Sequence, residues 1–160
     1  MMIDDINIER AGFDDLSDIL NLQKIAFISE AELYDDYNIE PLNQTLDSIQ
    51  NDFKVYLYLI AKHNNQIIGS VKARETGDFC WIGRLIVNPE YQNNGIGRML
   101  LTEIQGLFST TQRYMLCTGF RSTKNIRLYE SLGFKIIEEV DDVNNPNVKM
   151  VRMVKENSNQ

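Results

Sequence analysis

Two glycines separated by one residue, Gly95 and Gly97, stand where an apolar run gives way to a helical pattern, in "LIVNPEYQNNGIGR", residues 85–98. The first four amides of a helix have no partner within it, and its N-terminus carries roughly half a positive charge. With no side chains at 95 and 97, phosphate oxygens could approach those amides, and Arg98 would add a cation. The same glycines suit a plain strand-to-helix turn equally well, and spacing alone leaves both readings open. A dinucleotide fingerprint fails because Leu100 holds the place of its third glycine, and the preceding strand belongs to a hairpin series rather than opening a βαβ unit. A Walker loop fails because no Gly-Lys-Ser/Thr follows.

Other reactive residues are few. Cys80 and Cys117 lie inside apolar runs and read as reduced core thiols. The single histidine, His63, falls in the polar turn "KHNNQ" and reads as a solvated turn residue. No Cys/His cluster has metal-ligand spacing, so no metal is expected. The formal net charge is −7 with no basic stripe, which argues against a nucleic-acid partner. The acidic opening "MMIDDINIER" lacks the basic and apolar segments of a signal peptide, and "VYLYLIA" is far too short to span a bilayer. These features predict a cytoplasmic protein without a membrane partner.

The elements that position the glycine loop are legible from periodicity. "INIERAG" alternates and predicts a first strand. "DDLSDILNLQKIAF" places Leu16, Ile19, Leu20 and Ile25 near one helical face. "EAELYDDYNIE" is acidic, aromatic and aperiodic, and Pro41 then opens a short helix carrying Leu42, Leu46, Ile49 and Phe53. "VYLYLIAK" and "IIGSVKAR" form a hairpin through Asn64-Asn65, and "ETGD" turns the chain into "FCWIGRLIV". After the loop, "IGRMLLTEIQGLF" is amphipathic at helical spacing. A strand "RYMLCTGF", a helix "TKNIRLYESLGF" and a closing hairpin of "KIIEEV" with "VKMVRMV" complete the chain. The predicted order is βααβββαβαββ, an α/β fold of the α+β kind. Its sheet is mixed and mostly antiparallel, with helices on both faces, in one domain over residues 3–155. At 43% hydrophobic composition, 160 residues bury roughly 70% of their unfolded surface without a disulfide.

The segment "LIVNPEYQNNGIGRMLL" resembles the acyl-coenzyme A signature of the GNAT superfamily of N-acyltransferases, Q/R-x-x-G-x-G/A, here Gln92, Asn93, Asn94, Gly95, Ile96 and Gly97. A second family segment is similar to "NIRLYESLGF", with Asn125, Tyr129, Gly133 and Phe134. The resemblance implies that the backbones of Gln92 to Arg98 hold the pyrophosphate of acetyl-coenzyme A. It implies that Leu85, Ile86 and Val87 run beside the pantetheine arm, on a bulged strand that splays from the next after the fourth strand. An amide there, of Ile86 or Val87, would meet the developing oxyanion. Asn125 would bond the cofactor arm, Tyr129 would be the general acid that protonates the thiolate, and Lys124 and Arg127, which flank this helix, are candidates to meet the 3′-phosphate.

Where several members of this family carry a glutamate base, eleven positions before the Gln, this chain has Trp81. Glu75 in the turn is the nearest substitute, and a water chain is the other route for the proton. The family's acceptor region corresponds to "SEAELYDDYNIE", whose carboxylates Glu30, Glu32, Asp35, Asp36 and Glu40 surround Tyr34 and Tyr37. Tyr34, Asp35 and Asp36 are therefore candidates for holding a cationic amine. The implied activity is transfer of an acetyl group to a primary amine of a small molecule or protein, with a homodimer left open. The alternative is a non-catalytic acyl-coenzyme A sensor.

Overall fold

A computed structural model of the chain describes residues 5–142 and 145–157. The first two residues of the predicted 3–155 domain thus lie outside the described residues. Strand β1 (Asn7–Arg10) leads through a 3-10 turn into helices α1 (Leu16–Ala26), α2 (Ile28–Tyr34), α3 (Glu40–Asn43) and α4 (Leu46–Asp52). Strands β2 (Leu57–His63), β3 (Gln66–Thr76) and β4 (Phe79–Val87) follow as hairpins. Helix α5 (Ile96–Leu107), β5 (Arg113–Gly119), α6 (Thr123–Ser131), β6 (Lys135–Asp142) and β7 (Asn145–Glu156) complete the fold. The seven strands form one sheet in the order β1-β2-β3-β4-β5-β7-β6, antiparallel throughout except for β4 with β5. The α/β class, the mixed sheet and the strand count agree with the sequence expectation.

Helices cover both faces, which is why β2 reads as a continuous apolar run rather than an alternation. Leu59 and Ala61 pack with Ile96, Leu100 and Ile104 of α5. Tyr58 and Ile60 point the other way, against Leu16, Ile19 and Leu20 of α1 and Ile49 of α4. Full burial of each such aliphatic side chain contributes about 1.5–3 kcal/mol. The β2–β3 turn has Asn64 at φ 51° and Asn65 at φ 63°, the left-handed pair of a type I′ hairpin.

Two helical expectations need correction. The aperiodic acidic segment opens as α2, which buries only Ala31 and so shows no apolar stripe. It stops where Asp35 turns left-handed at φ 49°. The single helix expected after Pro41 is two helices, because Gln44 and Thr45 are extended. Gln44 is buried and accepts a hydrogen bond from Gln23 Nε2 at 2.8 Å, while Thr45 Oγ1 caps α4 by accepting from the Ser48 amide at 3.2 Å.

β4 has two halves. Phe79, Cys80 and Trp81 pair with Arg113, Tyr114 and Met115 of β5, and the pairing ends there. On the β3 side the register slips between Ser70 and Lys72, and within the slip Arg84 adopts φ 49°. This bulge bends β4 away from β5, so from Ile82 onward the two strands part.

Candidate functional site

The loop after β4 is held open by its own side chains. Asn88 Oδ1 accepts from the Glu90 amide at 2.9 Å, and Asn94 Nδ2 donates to the carbonyls of Tyr91 and Gln92, both at 3.0 Å. Asn93 and Gly95 take left-handed φ values of 65° and 79°. The two glycines have different reasons. Gly95 meets the backbone demand just before α5 begins, whereas Gly97 is set by space, since a Cβ there would lie 3.3 Å from Leu128. The amides of Ile96, Gly97 and Arg98 are left without acceptors inside α5. His63 proves to be half-buried behind this loop, its ring edge-on to Tyr91 at 5.7 Å, rather than a solvated turn residue.

These amides face a cleft of about 680 Å³, also lined by Leu85, Ile86, Val87, Asn125 and Leu128. Gln92, Asn93, Gly95, Ile96, Gly97 and Arg98 all line it, but Asn94 does not, its side chain being turned back into the loop. Arg98, in the first turn of α5, donates to Ser131 Oγ of α6 at 2.7 Å. Lys124 lines the cleft and Arg127 is not among its lining residues.

Strand alternation separates the β4 amides. The Asn88 amide donates to the Ile68 carbonyl at 2.8 Å, and the Ile86 carbonyl oxygen lies close enough to Gly69 that a Cβ there would meet it at 3.1 Å. Ile86 therefore turns its polar groups to β3, and Val87 and Leu85 turn theirs to the open side. This corrects the expectation for Ile86, whose amide is spent in the sheet. Val87 keeps the assigned orientation.

A second cavity of about 430 Å³ fills the gap between the parted strands, lined by Ile82 to Leu85 on one side and Leu116 to Gly119 on the other. It meets the cleft at Phe27, Glu30, Leu85 and Asn125, which line both. Tyr129 of α6 lines this cavity, is 6% exposed, and packs edge-on against Phe134 with ring centroids 6.0 Å apart. Burial, with the nearby Glu30 charge second, pushes its phenol above the usual range. Cys117, expected as a core thiol, is only half-buried and lines this cavity, whereas Cys80 is buried.

Glu30 is the residue that sequence reasoning did not single out. α2 brings it against α6, where its carboxylate accepts from Ser122 Oγ at 2.6 Å and from Asn125 Nδ2 at 3.2 Å. Burial raises its pKa, and the Ser122 hydrogen bond opposes this only in part. Only its place among the acidic residues of "SEAELYDDYNIE" marked it in the sequence. The other candidates of that segment divide. Tyr34 lines the second cavity, its hydroxyl accepting from the Arg121 amide at 2.9 Å. Asp35 and Asp36 line neither space: Asp35 is exposed at the end of α2, and Asp36 accepts from Asn145 Nδ2 at 2.8 Å, which lowers its pKa. Glu75 also lines neither; it pairs in register with Cys80, at the end of β4 where the sheet stays closed. Among the described residues no three His, Cys, Asp or Glu side chains are grouped to hold a metal ion.

The GNAT acetyltransferase domain family matches residues 54–136, just over half of the 160-residue chain. The fold is similar to that of PaiA N-acetyltransferase from Thermoplasma acidophilum, solved with coenzyme A, at TM-score 0.79 and 18% identity, covering 95% of this chain and 99% of that one. A chimera built on spermidine N-acetyltransferase SpeG from Vibrio cholerae aligns at TM-score 0.75 and 19% identity, over 96% of each chain. In sequence the chain is 27% identical over 123 residues to the UPF0157 protein YqkA of Bacillus subtilis, 77% of this chain but 35% of that protein, so it spans about a third of this curated relative's length. The family match falls on β2 to α6, the elements that build the splayed strand, the glycine loop and the Tyr129 helix, and the chain belongs to the GNAT acetyltransferases.

Proposed function

We propose that the chain transfers an acetyl group from acetyl-coenzyme A to a primary amine, by direct attack with both substrates bound. The observation that carries this reading is the junction at Glu30 and Asn125, where the amide-lined cleft meets the cavity holding Tyr129. The cleft fits the donor: free first-turn amides and a bare Gly97 make a cradle that a side chain would fill. Acetyl-coenzyme A supplies the acetyl group already activated as a thioester. The amides of Ile96 to Arg98 hold the pyrophosphate, and Leu85 and Val87 pair with the arm along the open edge of β4. One of these two amides also stabilises the negative charge that develops on the carbonyl oxygen. Glu30 takes the proton that the amine must lose, a task for which a carboxylate of raised pKa is well matched. Tyr129 gives a proton to the departing sulfur. The acceptor occupies the cavity between the parted strands. Release of free thiol from acetyl-coenzyme A in the presence of amino acids, polyamines or N-terminal peptides tests the reading, and no release with any of them would overturn it.

The cradle makes a separate prediction. Gly97→Val places branched carbons between the loop amides and the donor, beside Leu128. Loss of one or two pyrophosphate hydrogen bonds, each worth about 1 kcal/mol, should weaken coenzyme A affinity roughly tenfold. Calorimetry on a variant with unchanged circular dichroism checks it, and unaltered affinity would remove the pyrophosphate from this loop.

A further inference from the structure

Among the described residues Arg84 is the only basic one lining the 430 Å³ cavity, and its position is unusual in three respects. It sits at the β4 bulge in the left-handed region, φ 49°, where a residue with a Cβ is strained. Its guanidinium is drawn into the fold, with the side chain 23% exposed and the group 5.9 Å from the Phe27 ring. Glu40 of α3 forms an ion pair with Nη2, yet Nε is buried with no partner. A guanidinium presents its donors in a planar fork suited to carboxylates. Here Glu40 holds one corner of the fork and fixes its plane, and the Nε donor remains to be satisfied. Strain, burial and an unmet donor are a costly arrangement for a residue with no task.

We propose that Arg84 anchors a carboxylate of the acceptor, so that the acetylated amine belongs to a small amino acid. This rests on the acetyltransferase reading above. The acceptor's amine enters the part of the cavity shared with the cleft, beside Glu30 and Tyr129, and its carboxylate meets the Nε side of Arg84. Apolar walls from Ile39, Leu116 and Val148 leave room for a modest side chain. Glu40 and Asp142, which line the same cavity, give Arg84 its countercharge, and Glu30 gives one to the acceptor's amine.

The test uses matched pairs: L-amino acids beside their carboxamides, which differ only in the charge at issue. Thiol release from acetyl-coenzyme A gives kcat/KM, and calorimetry on protein saturated with coenzyme A gives binding without turnover. The wild type should favour the acids over the carboxamides by about tenfold or more in both readouts, the range of a charge-assisted hydrogen bond. In Arg84→Gln the acid-to-amide ratio should fall toward one, and Arg84→Lys, which keeps the charge but not the fork, should retain part of it. Equal use of acids and carboxamides by the wild type, or a preference for spermidine, overturns the proposal even if Arg84→Gln fails to fold. An acid preference in calorimetry that vanishes in Arg84→Gln, with no thiol released from any pair, would keep the carboxylate anchor and overturn the acetyltransferase reading instead. Absence of acid binding together with thiol release only from carboxylate-free amines would do the reverse.

Discussion

Glu30→Gln should lower kcat on the order of 10²- to 10⁴-fold while leaving the domain at least as stable as the wild type at neutral pH. The two halves of this expectation come from one fact. Burial raises the pKa of Glu30, so the folded state prefers its protonated form. The sign for stability follows by linkage: a carboxyl raised above its unfolded value favours folding most at acidic pH, and that contribution is lost as pH rises through its folded pKa. At neutral pH the wild type therefore holds a charge that burial disfavours, and a neutral glutamine relieves it. Gln can still accept from the Ser122 hydroxyl and Asn125, so the link between α2 and α6 survives. What it cannot do is take a proton from the attacking amine. The acidic limb of the kcat profile that belongs to Glu30 should disappear in the variant. Pre-steady-state thiol release across pH, beside thermal melts at the same pH values, separates the two effects. A variant with kcat within threefold of the wild type would show that water, not Glu30, removes the proton. A variant that melts well below the wild type at neutral pH would make Glu30 a structural tie.

The parts of this site that were legible in the sequence are those with local physical causes. A left-handed residue before a helix asks for glycine, and a bare first turn asks for a second, so Gly95 and Gly97 mark the strand-to-helix turn, while its reading as a phosphate cradle needed the flanking segments as well. β2 is apolar from Leu57 to Ala61 because helices cover both faces of the sheet, and that too is visible along the chain. Glu30 was obscured because its role needs partners 92 and 95 residues away, Ser122 and Asn125, and no periodicity encodes such a meeting. α2, which carries it, hides for a related reason: with Ala31 alone buried, it lacks the stripe by which helices are recognised. Arg84 was missed because a left-handed arginine leaves no glycine to mark the bulge. Glu75 attracted attention through its closeness in sequence to the splayed strand. Its pairing with Cys80 puts it at the wrong end of that strand, a matter of register rather than of residue type. The acidic pair Asp35 and Asp36 misled through composition, since a turn after a helix is acidic and polar whether or not a ligand passes by.

Tyr129→Phe should also lower kcat on the order of 10²- to 10⁴-fold, roughly 3 to 5 kcal/mol of barrier, with coenzyme A affinity nearly unchanged. The substitution removes one oxygen and keeps the ring that packs edge-on against Phe134, so the core of α6 is preserved. Tyr129 is buried, and both burial and the Glu30 charge keep its phenol protonated at any working pH. A proton is thus always present to give, although the raised pKa means that transfer to sulfur is driven only as negative charge builds there. Glu30 and Tyr129 line the same cavity from α2 and α6, so the proton gained by one can replace the proton lost by the other through the acceptor or a water. Binding of the donor depends on the loop amides and β4, and a single phenol hydrogen bond would add only about 1 kcal/mol. The distinguishing measurement varies the leaving group. A thioester of a more acidic thiol needs less help in departing, so the deficit of Tyr129→Phe should shrink as the thiol pKa falls, while that of Glu30→Gln should not. A deficit independent of the leaving group would move Tyr129 from proton donor to positioning residue. Near-normal kcat with acetyl-coenzyme A itself would leave the thiolate to be protonated by water.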